Sequence, residues 1–507
     1  MGWAERNVSG AGANTGKAVS LADLGLHAPG GAVVAVTGLA IDSRDVKDGN
    51  LFAALPGTRF HGAEFISYAL RMGASTILTD RDGADIARDS LTDSGAAVVI
   101  AEDPRQTLAY AAALWFGQQP ETVVAVTGTN GKTSVATFTR QIWSSLGISA
   151  ANMGTTGVEG AFSAPLAHTT PDPLTLHGLL AEMADAGVTH AAMEASSHGL
   201  AQARLDGVRL TAAAFTNFTQ DHLDYHETFD AYFAAKMRLF LDVLPEDGTA
   251  VINLDDARGP DVVRIADERG ADVVTVGRNN ASALRITAQR FDGTGQDLRF
   301  HWQGMPRQVR LPLIGGFQAE NALTAAGLAI GAGADPDQVF NTLPQLSTVR
   351  GRMELAARRA NGAAVFVDYS HTPAALQTAL RALRPHVLGR LIVVFGAGGD
   401  RDQAKRPLMG EAAAQNADVV FVTDDNPRSE DPALIRAQVM AGCNGATDVG
   451  DRAEAILRGV DALGAGDVLL IAGKGHETGQ TIGDQVFPFD DAEQASVAVA
   501  ALDGQRL

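Results

Sequence analysis

Apolar runs of strand length recur along the chain, and each ends in Gly, Asp, Asn or Thr. Between them lie Ala- and Leu-rich stretches with helical spacing. That alternation reads as βα units on parallel sheet, an α/β protein. Three blocks can be set apart. Residues 1–101 hold the strand pattern Leu51–Leu55 after the polar turn Lys47–Asn50. Residues 102–345 open on a helix near Arg105–Phe116 and pass through Gln118-Gln119-Pro120 into a second set of strands. Residues 346–507 repeat a strand followed by a polar loop four times. At ~150 residues per domain, a chain of 507 residues suggests about three domains.

The second block begins with a recognisable unit. Thr122–Val126 has the composition of a buried strand, Thr127-Gly128-Thr129-Asn130-Gly131-Lys132-Thr133 follows, and a helix runs to about Leu146. Val135, Phe138, Ile142 and Leu146 mark its apolar face and Gly147 its stop. Strand, Gly-rich turn and helix N-terminus form an anion cradle, with backbone N–H groups and the helix dipole aimed at phosphate. Lys132 would reach the β/γ-phosphates and the Thr133 hydroxyl would ligate Mg²⁺. Val126 stands where the longer phosphate-loop pattern has Gly, so the match is to a shorter GxxGKT loop.

Downstream, Thr189–Met193 reads as a strand with Glu194 at its carboxyl end. Ala212–Phe215 reads as another, leading to Asp221-His222-Leu223-Asp224-Tyr225-His226. Ligands of open α/β sheets collect beyond the carboxyl ends of strands, which would put Glu194 and His222 near the Thr133 metal. In the third block, strands ending at Val367, Phe395, Thr423 and Ala472 lead into loops carrying Asp368, Arg401, Asp425, Arg428 and Glu477. Four such loops on one sheet edge would make a crevice with both charge signs, suited to a zwitterion. An Arg fork takes carboxylate bidentately, and carboxylates take an ammonium.

Charge and composition narrow the classes. Forty Lys and Arg against fifty-nine Asp and Glu leave a net charge of −19, which argues against a nucleic-acid or anionic-membrane binder. Hydrophobic residues at 46% and charged residues at 20% are ordinary for a soluble protein, and no stretch suits membrane insertion. The single cysteine, Cys443, allows no intrachain disulfide and suggests a cytoplasmic setting.

Taken as a set, Thr127–Thr133, Glu194-Ala-Ser-Ser-His-Gly, Asp221–His226, Gly351-Arg352-Met-Glu, Asp368-Tyr-Ser-His371-Thr-Pro, Gly399-Asp-Arg401-Asp and Asp425-Asn426-Pro427-Arg428 resemble the Mur ligases. The resemblance implies a three-domain architecture, with a central P-loop ATPase-like domain and a C-terminal Rossmann-like domain. It implies that residues 1–101 hold the UDP end of the substrate through Ile41, Ser43 and the loop from Gly57 to His61. ATP would lie on Gly128, Thr129, Asn130, Gly131, Lys132 and Thr133, with Asn321, Arg352, Asp368 and His371 as further nucleotide contacts. Thr169, Thr170, Ser196, Gln202 and Arg204 match contacts to the muramoyl-dipeptide. Arg401, Asp425, Asn426, Pro427, Arg428, Gly473 and Glu477 match the pocket for the incoming amino acid.

Lys236 matches a lysine that this family carbamylates, so that Thr133, Glu194, His222 and the Lys236 carbamate would share the metal, with Lys132, Glu194, His222 and Lys236 as the catalytic set. Local pattern alone reads Lys236 as a solvated helix residue. His168 and Thr478-Gly479 depart from the family pattern.

The activity implied is ATP-driven addition of meso-2,6-diaminopimelate to the D-Glu γ-carboxylate of UDP-N-acetylmuramoyl-L-alanyl-D-glutamate, through an acyl phosphate, in peptidoglycan precursor synthesis by a monomer. Addition of L-lysine or L-ornithine, and a non-catalytic relative acting as a binding protein, are the alternatives. Selectivity would sit at Arg428. Diaminopimelate carries a far carboxylate that lysine lacks, and a buried Arg left unpaired costs roughly 2–5 kcal/mol.

Overall fold

The computed structural model describes residues 18–28, 34–57, 60–219, 223–226 and 228–504, apart from the side chains of Leu223 and Asp224. The chain gathers into two compact units. One comprises the residues up to Ser282 with Thr324–Val339, the other Ala283–Leu323 with Phe340 onward.

The first unit contains two parallel sheets. The smaller has strands Leu39–Ala40, Leu51–Ala53, Thr76–Thr79 and Ala97–Ile100 in chain order. Its faces alternate as strand geometry requires. Leu51, Ala53 and Leu78 share a core with Leu108, Ala111 and Ala112 of helix Pro104–Phe116, whereas Phe52 and Ile77 pack with Ile66 and Ala69 of helix Ile66–Arg71.

In the larger sheet, this unit supplies strands in the order Asp272–Gly277, Thr249–Asn253, Leu210–Phe215, Thr122–Thr127, His190–Glu194, Ala150–Gly154, Gly157–Gly160. All neighbours are parallel except the last pair. The strand expected to carry the phosphate loop is therefore central, and its flanking strands end beside the loop. Helix Lys132–Ser145 follows it. Every residue from Thr133 to Thr139 is buried, so this helix is embedded rather than amphipathic. Leu146, expected on its buried face, is the half-exposed C-cap; Trp143 is buried in the last turn instead.

The second unit holds an antiparallel meander, Leu284–Asp292, Gly295–Trp302 and Met305–Leu311. It also holds a six-stranded sheet in the order Glu354–Arg358, Ala364–Asp368, Val468–Ala472, Leu391–Phe395, Val419–Val422, Thr447–Asp448. Only the first strand runs antiparallel. Phe366, Val393, Phe395 and Leu470 pack on one face with Leu376, Leu380 and Met409. Val365, Val367, Val394, Leu469 and Ile471 pack on the other with Ile456, Val460 and Val499. Helices cover both faces, so the carboxyl edge is where this sheet meets solvent and ligand. The four polar loops anticipated from sequence all leave that edge. Among the described residues no helix is long and apolar enough to cross a membrane.

Candidate active site

The phosphate loop is fixed by the segment after strand Leu210–Phe215. Asn130 N donates to Asn217 Oδ1 (2.9 Å), Thr129 N to Asn217 O (2.8 Å), and Thr216 Oγ1 to Asn130 O (2.5 Å). Gly128 lies at φ +145°, and a Cβ there would come within 1.9 Å of Thr216 Oγ1. Gly131, at φ +88°, caps the helix. Both positions demand glycine. Lys132 Nζ folds over the loop, 2.9 Å from Gly128 O and 2.8 Å from Thr129 O.

Lys236 corrects the local reading. It sits on helix Phe229–Arg238 but is 1% exposed, with Nζ 2.8 Å from Gly128 O and 4.5 Å from the centre of the Tyr232 ring. A residue that looked solvated on its own helix is thus a wall of the phosphate site.

Glu194 ends its strand as expected and is 2% exposed. Its register partner is Val126, two residues before Gly128, and Ala195 N donates to Val126 O. The Glu194 carboxylate accepts from Thr155 N (2.8 Å) and Thr155 Oγ1 (3.2 Å). Gly154 lacks a side chain because a Cβ would meet Glu194 Oε1 at 2.1 Å.

From there the polar contacts continue without a break. Thr155 Oγ1 is 3.1 Å from Thr169 Oγ1. Thr170 Oγ1 donates to Glu194 O and accepts from Ser196 N. Arg204 donates to Thr170 O (2.6 Å) and to Gln202 Oε1, while Gln202 Nε2 reaches the Tyr225 hydroxyl (3.0 Å). Burial lowers the Arg204 pKa. The five residues carried over as dipeptide contacts therefore form one patch with Glu194. Thr155 and Tyr225 belong to it and were missed. The signal for Thr155 was available, since it too follows a strand end. His222 lies outside the described residues. His198, Tyr225, His226 and Tyr232 stack in a row beside the patch, with ring centres 4.0–5.2 Å apart from one to the next.

On the smaller sheet, Ile41 is half-buried and Ser43 is buried at the start of the turn Ser43–Asp45. Both follow the end of strand Leu39–Ala40, while the Gly57–His61 loop follows Leu51–Ala53, so parallel pairing brings them to one edge. His61 Nδ1 accepts from Ala63 N, and Nε2 is 3.1 Å from Asp80 Oδ1. Thr58 and Arg59 of that loop lie outside the described residues.

In the second unit, Asp368 accepts from Met353 N (2.8 Å) and Ser370 N (3.0 Å), which ties the Gly351–Glu354 turn to the sheet. Arg352 lies over the Tyr369 ring at 4.4 Å, and Tyr369 meets His371 edge-on (4.6 Å) and lies tilted against His476 (5.1 Å). Burial lowers the His371 pKa; burial and the neighbouring Arg352 and Arg350 bring that of His476 to about 4, so both rings are neutral at pH 7. Asn321 bonds Gln318 (3.0 Å).

The loops of the expected zwitterion crevice do converge. Asn426 Nδ2 donates to Glu477 Oε2 (2.9 Å), a Cβ on Gly473 would lie 2.9 Å from Asp425 Oδ2, and Pro427 packs on Gly399. Arg401 is exposed. Arg428 departs from expectation. It is half-buried rather than buried, and NH1 already donates to Gly399 O (2.7 Å). A guanidinium half in solvent and already paired makes a weaker fork for a carboxylate than a sealed one. The departure at Thr478-Gly479 has a steric reason. Gly479 starts the hairpin Gly479–Ile482/Gln485–Pro488, and a Cβ there would meet Val486 Cγ1 at 2.7 Å. Lys474, fully buried among these groups, was not singled out from sequence.

For a metal, Glu194 and the Thr133 hydroxyl offer hard oxygen donors of the kind Mg²⁺ takes. Among the described residues, no group of three or more His, Cys, Asp or Glu gathers as a ready-made metal site. Lys236 would complete a donor set only as a carbamate, since an ammonium has no lone pair to give.

The chain is similar to known proteins over most of its length. Residues 35–129 match the Mur ligase family catalytic domain, 126–329 the Mur ligase middle domain, and 351–475 the Mur ligase glutamate ligase domain. A protein of Bradyrhizobium diazoefficiens called UDP-N-acetylmuramoyl-L-alanyl-D-glutamate–2,6-diaminopimelate ligase is 50% identical over 479 residues, covering 93% of this chain and 96% of its own. One of the same name from Rhizobium meliloti is 50% identical over 472 residues, with the same coverage. A solved structure bearing that name aligns with a TM-score of 0.71 at 34% identity, over 96% of this chain and 99% of the other. With three domains matched in order and half the residues shared over nearly the whole length, this chain belongs to the Mur ligase family, and it is a ligase.

Proposed function

We propose that this ligase uses ATP to join meso-2,6-diaminopimelate to the D-Glu γ-carboxylate of UDP-N-acetylmuramoyl-L-alanyl-D-glutamate. The observation that carries the reading is the unbroken polar patch from Glu194 through Thr155, Thr169 and Thr170 to Ser196, Gln202 and Arg204. It begins on the strand paired with the one that bears the phosphate loop. A carboxylate held there would face the γ-phosphate. The relatives' shared name supports the choice of substrate.

In this reading residues 1–101 hold the uridine end, 102–345 bind ATP and the muramoyl-dipeptide, and 346–507 bind the amino acid. Lys132 swings from the loop carbonyls to the β/γ-phosphates and offsets charge as it builds. Arg204 and the threonines orient the dipeptide, with Ile41 and Ser43 at the far end. Asn321, Arg352, Asp368 and His371 complete the nucleotide contacts. The γ-carboxylate oxygen bonds to the γ-phosphorus as the bond to ADP breaks. The substrate amine, having lost its proton, then attacks the acyl carbon and phosphate leaves. Mg²⁺, when bound, neutralises the phosphates; Thr133, Glu194, His222 and a carbamate on Lys236 would hold it. No protein nucleophile is required.

Phosphate release from ATP tests this. The assay contains UDP-N-acetylmuramoyl-L-alanyl-D-glutamate and, in separate reactions, meso-diaminopimelate, L-lysine or L-ornithine. Turnover is expected with diaminopimelate. Turnover mainly with lysine or ornithine would overturn the choice of amino acid, and none with any of the three would overturn the reading.

A further inference from the structure

Lys474 follows strand Val468–Ala472 in the loop Gly473–Glu477, and its side chain is completely buried. Buried lysines are rare and need compensation. Here Nζ is 2.9 Å from Asn426 Oδ1, 2.7 Å from Gly479 O, 3.6 Å from Asp425 Oδ1 and 3.7 Å from Glu477 Oε2. An ammonium is donor-only, so the Asn426 amide must turn its oxygen toward it. Thr481 N donates to that same oxygen (2.9 Å). The amide nitrogen is thereby left to face Glu477, where it donates at 2.9 Å.

Buried Asp425 and half-buried Glu477 are the two carboxylates nearest Nζ, and Lys474 is the cation between them. Asp425 Oδ1 is buried and makes no hydrogen bond, so the cluster retains an acceptor.

We propose that Lys474 is a positioning residue of the amino-acid pocket, fixing the Asn426 amide and holding Asp425 and Glu477 on either side of its Nζ for the ammonium of the incoming amino acid. This rests on the ligase reading above and deepens it at that pocket. Burial already pushes the Glu477 pKa up and the Lys474 pKa down. The other charged or titratable groups bearing on the cluster are Arg428, Arg452, Asp491, Lys405, His371 and Tyr369. Without Lys474, Glu477 would lose a neighbouring cation that holds its pKa down, so a proton would compete with the ammonium for it.

The test is kinetic. Lys474→Met is expected to raise KM for diaminopimelate at least about tenfold at pH 7. KM for ATP should stay within about twofold. The KM of the variant should fall as pH rises from 6 to 8.5, while that of the wild type changes little. The double variant Lys474→Met with Glu477→Gln removes one charge of each sign and leaves Asp425 without Lys474 as a competing cation. It should bind diaminopimelate more tightly than Glu477→Gln alone. It also decides the matter if Lys474→Met fails to fold.

A merely structural lysine predicts the reverse, with losses that add. A double variant weaker than Glu477→Gln would overturn the inference, as would a Lys474→Met profile parallel to that of the wild type. Wild-type turnover, run alongside, separates the two failures. Its absence with every amino acid sinks the ligase reading and this inference together, whereas normal wild-type turnover with either contrary result sinks the inference alone.

Discussion

Lys132 and Lys236, from two different helices, donate to the same acceptor, the carbonyl of Gly128, at 2.9 and 2.8 Å. Two lysine side chains therefore converge on one turn of backbone, Lys132 as a cation placed for polyphosphate charge and Lys236 where its carbamate would hold a metal. Lys236 is buried and packed on Tyr232, so its position is set by the fold, whereas Lys132 is held by two loop carbonyls and can exchange them for phosphate. Lys236→Met, close in volume, should keep the fold while lowering kcat at least about 100-fold. Wild-type activity should also fall when bicarbonate is stripped from the buffer and return when it is restored, because a carbamate on Lys236 would draw on it. A bicarbonate-independent wild type would exclude the carbamate; a fully active Lys236→Met would exclude any role in the phosphate site.

Gly128→Ala should be damaging out of proportion to a single methyl group. The residue sits at φ +145°, and the new Cβ would press on Thr216 Oγ1, the group that bonds Asn130 O. Strain of this kind costs about 1–3 kcal/mol before the clash is counted. Calorimetry should show weaker ATP binding together with a lower melting temperature. Unchanged ATP affinity would mean the loop does not take its phosphates in this conformation.

Arg428→Ala should erode the preference for diaminopimelate over lysine. The half-buried guanidinium keeps Gly399 O as a partner whether or not a substrate carboxylate arrives, so lysine leaves it less exposed to penalty. The expected loss is about tenfold in the ratio of kcat/KM values, or about 1.4 kcal/mol, below what a sealed Arg would give. Ala and Arg are similarly strained at the φ of +52° found there, which keeps the comparison clean. An unchanged ratio would remove Arg428 from substrate selection.

What the sequence disclosed and what it hid follow one physical division. The phosphate loop was legible because strand, Gly-rich turn and helix lie within 25 residues of each other, from Thr122 to Leu146. Glu194 and the four polar loops of the second unit were legible because parallel βα topology places strand ends on one edge. Lys236 was not, because its burial depends on a carbonyl 108 residues earlier in the chain. Arg428 looked like a buried fork from its motif; its exposure depends on how the Gly398–Asp400 loop and the hairpin after Gly479 close around it. Lys474 carried no periodic signal at all, and only the convergence of Asp425, Asn426 and Glu477 marks it.

His177 gives a stability prediction whose sign can be worked out. The ring is 1% exposed on helix Pro173–Asp185, and Nε2 lies 3.0 Å from Asp206 O, so the neutral ring donates one hydrogen bond there. Burial lowers its pKa from 6.5 to about 4. Between those values the unfolded chain binds the proton and the folded chain does not, so stability rises with pH. The contribution is complete above about pH 6.5 and is lost progressively as pH falls toward 4, by about 3 kcal/mol in total. His177→Gln keeps an amide donor for Asp206 O but cannot titrate. Its stability should fall less than that of the wild type between pH 6.5 and 4 when both are unfolded in urea across that range. Parallel losses in the two proteins would place the acid sensitivity elsewhere.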